Sequence, residues 1–182
     1  LLGFRRSGDH VYRPHCARCS ACIASRVRVG ESQATRSLKR ISRRNADLRV
    51  ERSDSILDDE AYNLYRYYIE SRHADGDMYP PEREQYESFL NDGLGCANYY
   101  RLYQGNRLVA VTVADQMLDG LAAIYTFFDP DEPQRSLGTE AILLQIRQAQ
   151  SMGLPFVYLG YWIDNCRKMS YKSRFSPLEL FV

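Results

Sequence analysis

No stretch of this sequence is both apolar and long enough to span a bilayer, and no charged-then-apolar segment marks a secretion signal. The chain is therefore read as soluble and cytoplasmic, with no membrane partner. Global basicity is also lacking: 24 Lys and Arg stand against 23 Asp and Glu, for a net charge of +1. Bulk charge announces no nucleic-acid partner, so any such partner must be argued from local clusters. Internal repeats and low-complexity linkers are absent, which excludes a solenoid and a disordered tether. An initiator Met is missing as well. The sequence opens Leu1-Leu2-Gly3-Phe4, and a longer chain with an upstream part is expected.

What is present supports a packed fold. Apolar residues make up 45% of 182 positions, enough for a substantial core. The five cysteines are an odd count, and in a cytosolic chain they read as thiols, ligands or packing residues rather than a disulfide framework. Fourteen tyrosines offer stacking area with a polar tip, useful in cores and on RNA-contacting surfaces. Charge is segregated along the chain. Residues 36–52 hold seven Lys/Arg against Asp47 and Glu51, whereas 54–92 are acidic.

Periodicity predicts the elements. Residues 10–31 read as extended, with Ile23, Val27 and Val29 roughly alternating. A helix is expected over 35–46 with Thr35 as N-cap, then a short strand at 48–51. Residues 58–73 form a helix, because Asp58, Asp59 and Glu60 suit the positive end of its dipole and apolar residues recur every three or four. A second short helix covers 82–91. Strands follow at 98–103, 108–115 and 121–128, the last two joined through the Asp119-Gly120 turn. LVAVTVA and LAAIYTFF are apolar on both faces, so both are central strands covered on both sides. Helix 137–152, strand 156–160 and a short helix at 165–173 complete the order. The result is an α/β or α+β fold: a mixed, mainly antiparallel sheet flanked by helices. Residues 1–50 form a small N-terminal cysteine-containing subdomain, and 51–182 the main domain.

Three local clusters carry chemistry. On a helix advancing about 100° per residue, Arg36, Lys39, Arg40, Arg43 and Arg44 share one arc, with Leu38 and Ile41 opposite. Neighbouring cations repel, and phosphates would relieve that repulsion while releasing counterions. A plain solvated face is the alternative. The second cluster is Pro133-Gln134-Arg135-Ser136-Leu137-Gly138-Thr139, a strand-to-helix junction where acetyltransferase-type folds place an acyl donor. Ser136 is expected to cap and Gly138 to allow close approach. Glu140 stands where such loops carry a second glycine, which argues against a coenzyme A pyrophosphate. The third is Cys16, Cys19 and Cys22 beside His15. Three thiolates at intervals of three are one short of the four ligands that zinc or an iron–sulfur cluster generally takes.

The stretches GFRRSGDHVYRPHC (3–16), RSLKRISRRNADL (36–48), YRYYIESRHADGDM (65–78), GLAAIYTFFDPDEPQRSLGT (120–139) and YLGYWIDNCRKMSYKSRFSPLE (158–179) together resemble one family. It is that of the bacterial leucyl-tRNA–protein transferases acting on N-terminal Asp or Glu, relatives of the eukaryotic arginyl-tRNA–protein transferases. The resemblance implies an acetyltransferase-like fold that uses leucyl-tRNA in place of acetyl coenzyme A. It implies attachment of leucine to the α-amine of proteins that begin with Asp or Glu, which creates an N-end-rule degradation signal. It also implies an upstream segment with a further cysteine, a better fourth ligand than His15. Related eukaryotic enzymes place an iron–sulfur cluster on N-terminal cysteines, at a different spacing.

The aminoacyl ester is already activated, so this chemistry requires no cofactor. With a pKa of about 7.7–8.0, roughly a tenth of an α-amine is neutral at pH 7, and a modest base suffices. Asp115, at a central strand end, is the candidate to orient or deprotonate it. Tyr125, Tyr158 and Tyr161 are candidates to position the terminal adenosine or donate to the oxyanion. Lys168 and Lys172 are assigned to the tRNA end. A cation must meet the acceptor's carboxylate, and Arg13, Arg72 or Arg135, with His73 near, is expected to supply it. Arg5, Arg6, Tyr12, Arg13 and Pro14 read as a wall of the acceptor pocket. A coenzyme A-dependent N-acetyltransferase and a non-catalytic module binding tRNA or protein N-termini stay open as alternatives.

Overall fold

The computed structural model describes residues 3–91 and 94–181. A small hairpin opens the chain, β1 (Arg5–Ser7) against β2 (His10–Tyr12). Then come β3 (Ile23–Arg28), α1 (Arg36–Arg44), β4 (Arg49–Ser53), α2 (Asp59–Arg72) and α3 (Arg83–Leu90). The antiparallel run β5 (Ala97–Gln104), β6 (Arg107–Gln116) and β7 (Gly120–Phe128) follows, and α4 (Leu137–Ser151), β8 (Phe156–Trp162) and β9 (Leu178–Phe181) close the order.

Among the described residues the main sheet has seven strands in the order β4-β5-β6-β7-β8-β3-β9. Only β7 and β8 run parallel; the other neighbours are antiparallel. This is the mixed, mainly antiparallel sheet flanked by helices that the residue pattern predicts. Strand alternation sends Tyr99 and Tyr103 to one face and Tyr100 and Leu102 to the other. On the first face α2 and α3 cover an aromatic core of Tyr65, Tyr86, Tyr99 and Phe127. On the second, α1 and α4 cover an aliphatic core that includes Leu38, Ile41, Val109, Leu121, Leu144 and Val157.

Helix starts follow the expected chemistry in two cases. Thr35 Oγ1 accepts from Leu38 N at 3.3 Å and starts α1, and Asp58 Oδ1 accepts from Ala61 N at 3.0 Å and starts α2. Ser136 departs from expectation. It adopts φ +53° and its side chain makes no cap; its carbonyl instead accepts from Thr139 N and Glu140 N. The extended reading of 10–31 also needs correction. Residues 13–22 leave the strand, since Pro14 has no N–H to offer a ladder and Cys19 N turns back to Cys16 O. The final short helix is a 3-10 helix, Arg167–Arg174, and β9 lies beyond the last element expected from the sequence. The residue-50 boundary falls inside β4, and chain on both sides of it contributes to one sheet: β3 lies between β8 and β9.

Candidate active site

The parallel pair makes an opening. Gly120, Leu121 and Ala122 pair with Phe156, Val157 and Tyr158, and there the pairing stops. Gly120 is required at the start of this pair because a side chain would strike the Phe156 carbonyl. Beyond Ala122 the strands diverge, so β7 carbonyls lose their ladder partners. Arg5 fills the gap from the N-terminal hairpin. Its Nη2 donates to the Ala123 carbonyl at 2.8 Å and lies 3.5 Å from that of Ile124. On the other wall the guanidinium lies against Gly160, whose φ is +80° and whose missing side chain leaves the space.

A cavity of about 720 Å³ occupies the split. Tyr68, Tyr125, Phe128, Tyr161 and Tyr171 wall it, the first turn of α4 from Ser136 to Thr139 forms one rim, and Arg5 and Lys172 reach into it. Lys172 is only 6% exposed. Its Nζ donates to the Tyr161 carbonyl, and no carboxylate lies within ion-pair reach among the described residues. Burial, with Arg5 adding to it, pushes this ammonium down to about 8. Burial likewise lowers the Arg5 guanidinium from its ordinary value. Two further cavities adjoin. One of about 800 Å³ is lined by Phe4, Arg6, Asn98, Asp115 and Met117, and one of about 290 Å³ by Ser25, Asp119, Tyr158 and Gly160; Arg5 lines both.

The structure sorts the residues singled out from the sequence. Asp115 is buried, but not as a free base: both its oxygens accept from Arg6, at 2.5 and 2.8 Å. Arg6 also donates to the carbonyls of Asn91 (3.1 Å) and Gly8 (3.4 Å). Tyr125 lies in the cavity wall, its hydroxyl 3.6 Å from Met78 Sδ, and burial raises its phenol pKa. Tyr161 donates to the Gly3 carbonyl at 2.5 Å, and Tyr158 to Asp119 at 2.7 Å, in the neighbouring cavity. Burial raises both phenols.

The four acceptor candidates separate. Arg72 stands over the Phe128 ring at 5.5 Å and lines the cavity. His73 caps α2, with Nε2 3.1 Å from the Tyr68 hydroxyl; burial, then Lys168 and Arg72, lower its pKa. Arg13 is exposed over Phe4 at 5.6 Å, outside the cavity. Arg135 is a correction: it is neutralised by a two-pronged pair with Asp47, 2.9 Å on each arm, and pins α4's approach to the end of α1. On the tRNA side, Arg36, Lys39, Arg40, Arg43 and Arg44 are all exposed. Arg44 donates to the Gln134 carbonyl, so the C-terminal end of α1 abuts the cavity rim. Lys168 is exposed, whereas Lys172 is inside. Glu140 is spent on structure, 2.6 Å from Arg147 and 3.2 Å from Ser42. Cys16, Cys19 and Cys22 are free thiols, and among the described residues no three His, Cys, Asp or Glu side chains assemble to hold a metal. Sequence reasoning named Arg5 only as part of a wall and missed it as the bridge of the split; the Gly160 opposite was the available signal.

The family model for the C terminus of arginine-tRNA-protein transferases matches residues 60–182, and that for the N terminus matches 1–40. The chain belongs to the arginine-tRNA-protein transferase family. The family is one of aminoacyl-transferring enzymes, which sets aside the non-catalytic alternative. Curated relatives agree. A protein of Pseudomonas aeruginosa named aspartate/glutamate leucyltransferase is 54% identical over 181 residues, covering 100% of this chain and 77% of that one. Its namesakes from Stutzerimonas stutzeri (77% covered) and Alcanivorax borkumensis (75% covered) are 55% and 53% identical, each over 100% of this chain. Among solved structures, L-PGS from Bacillus licheniformis has a TM-score of 0.58 at 14% identity, covering 80% of this chain and 48% of that one. A C-terminal domain (DUF2156) from Agrobacterium fabrum has a TM-score of 0.57 at 13% identity, covering 79% and 47%. This chain spans about half the length of each, and the likeness is one of fold.

Proposed function

We propose that the chain transfers leucine from leucyl-tRNA to the α-amine of proteins that begin with Asp or Glu. The observation that carries the reading is the cavity in the β7–β8 split, aromatic in its walls, into which Arg5 and Lys172 reach without an ion-pair partner among the described residues; Glu132, which also lines it, is paired with Arg107 and Arg135. Rings with a nearby negative charge suit it, and the 3′-terminal adenosine of a tRNA offers both. The relatives at 53–55% identity named aspartate/glutamate leucyltransferase support leucine as the group moved and acidic N-termini as acceptors.

The ester needs only to be held against a neutral amine. The amine nitrogen attacks the ester carbonyl carbon, the carbonyl oxygen gains negative charge, and the C–O bond to the ribose breaks. The amine proton leaves and the ribose oxygen takes one up. Lys172 is the cation available to the developing oxyanion. Tyr68, Tyr125, Tyr161 and Tyr171 pack the donor, and Tyr158 faces the adjoining cavity. Asp115 acts through Arg6 as a positioning group. Arg72, at the rim, and Lys168, outside, meet the tRNA end. The exposed cations of α1 carry the tRNA backbone away from the rim. The reading places the enzyme in the cytoplasm, where charged tRNA is available, and its product exposes leucine as a degradation signal.

The test is incubation with radiolabelled leucyl-tRNA and peptides beginning Asp, Glu or Ala, with acetyl coenzyme A as a parallel donor. Label is expected in the Asp and Glu peptides alone. No label in either, or acetyl transfer in its place, overturns the reading.

A further inference from the structure

Resting on that reading, we infer that Arg5 is the specificity residue: its guanidinium binds the side-chain carboxylate of the acceptor's first residue where the cavities meet. Three observations support this. First, Arg5 lines all three cavities around the split, so it touches both the donor chamber and the spaces beside it. Second, its charge is unspent. Only Nη2 is engaged, with the β7 carbonyls. Among the described residues Nε and Nη1 have no hydrogen-bond partner, and no carboxylate pairs with the group. A partly buried cation without a counter-ion is costly, and a ligand carboxylate would remove that cost through charge-assisted hydrogen bonds from the nitrogens left free. Third, the group is held in place. Arg6, the next residue, is locked to Asp115, and the hairpin turn is seated on α3 by Gly8 N to the Phe89 carbonyl at 3.0 Å.

Acceptor geometry narrows the choice further. In Asp and Glu the carboxylate is one or two methylenes from the α-carbon that bears the attacking amine. The cation that reads it must therefore sit at the point of transfer. Arg135 is neutralised by Asp47, and Arg13 stands outside the cavity in the split. Arg72 stands at the rim over Phe128, whereas Arg5 bridges the strands where acyl group and amine must meet. Lys172 beside it raises the positive potential without competing for the same geometry, since it offers a point charge rather than a fork.

The experiment compares the wild-type chain with Arg5→Gln and Arg5→Lys, using radiolabelled leucyl-tRNA and peptides beginning Asp, Asn, Glu or Gln. Filter binding of uncharged tRNA runs alongside, with thermal unfolding to confirm folding. Arg5→Gln is expected to lower the Asp-over-Asn and Glu-over-Gln ratios of kcat/KM by at least about 30-fold, with tRNA affinity unchanged. Arg5→Lys should lower them less. Ratios that stay at the wild-type value overturn the proposal. So does a loss that appears only in tRNA affinity, which would make Arg5 a phosphate contact. If the wild type labels no acidic peptide, the leucyl-transfer reading fails instead. Calorimetric binding of Asp- and Asn-peptides then decides: an Asp preference abolished by Arg5→Gln sustains the proposal, and no preference ends it.

Discussion

Arg5 and Arg6 are adjacent on β1, share one backbone geometry and have opposite fates. Alternation along the strand sends their side chains to opposite faces. Arg6 meets Asp115, and the two side chains are only 3% and 5% exposed. Its fork is filled by both carboxylate oxygens, and a backbone carbonyl takes its remaining nitrogen. Among the described residues Arg5 forms no ion pair with a carboxylate, and it rests one nitrogen on carbonyls that the diverging strands leave without ladder partners. The first arginine is complete without substrate; the second is not. Complete pairs position, and incomplete ones recognise.

The contrast breaks most visibly at the complete pair. Asp115→Ala strands a buried guanidinium, and urea unfolding should show a loss of about 3–5 kcal/mol. Arg5→Gln should cost the free protein little and can even stabilise it, since it removes a cation with no counter-ion. Equal losses in the two variants would erase the distinction. Lys172 extends the comparison to pH. Its folded-state value of about 8 lies below the ordinary lysine value of 10.5, so between these values the unfolded chain binds more protons. Stability contributed at this site therefore rises with pH across that window, and below about pH 8 the burial penalty is felt in full. Lys172 faces Arg5, Cys166 and the Tyr161 carbonyl. Lys172→Met should be more stable than wild type at pH 6–7, with the difference shrinking from pH 8 toward 10 in urea titrations; a pH-independent difference contradicts this.

Gly160→Ala tests the seat of Arg5. A left-handed alanine costs about 1–2 kcal/mol, and its methyl displaces the guanidinium. Thermal melts should show the modest loss, and acceptor selectivity should fall as in Arg5→Gln. The smallest stability effect belongs to α1. Arg40→Ala and Arg43→Ala should each change stability by no more than about 0.5 kcal/mol. Each should also reduce the salt dependence of tRNA binding by about one unit of slope, measured by filter binding across salt concentrations.

Much of this was legible beforehand, and the reasons are local. Thr35 and Asp58 mark helix starts by their own side chains, and LVAVTVA declares a strand covered on both faces by its lack of alternation. The basic arc of α1 is visible because helical spacing is regular. What stayed hidden depends on distant pairing. Nothing near Asp115 shows that it is claimed by Arg6, 109 positions earlier. Arg135 looked available because its partner, Asp47, lies 88 positions away. Ser136 resembled a cap by residue type, but its backbone turned left-handed. Lys172 and Lys168 were indistinguishable on charge; burial alone separates them.

The place of β3 has a consequence for how this chain folds. Ala24 pairs with both Tyr161 and Phe181. The strand that lines the cavity adjoining the candidate site is thus held between two segments made long after it. During synthesis β3 waits without neighbours until β8 has left the ribosome, and the sheet edge is finished only with β9. Loop closures of this length make folding slow and leave unpaired edges exposed meanwhile. Strand β9 is therefore a latch on β3, and that wall of the cavity is complete only after both β8 and β9 have been made.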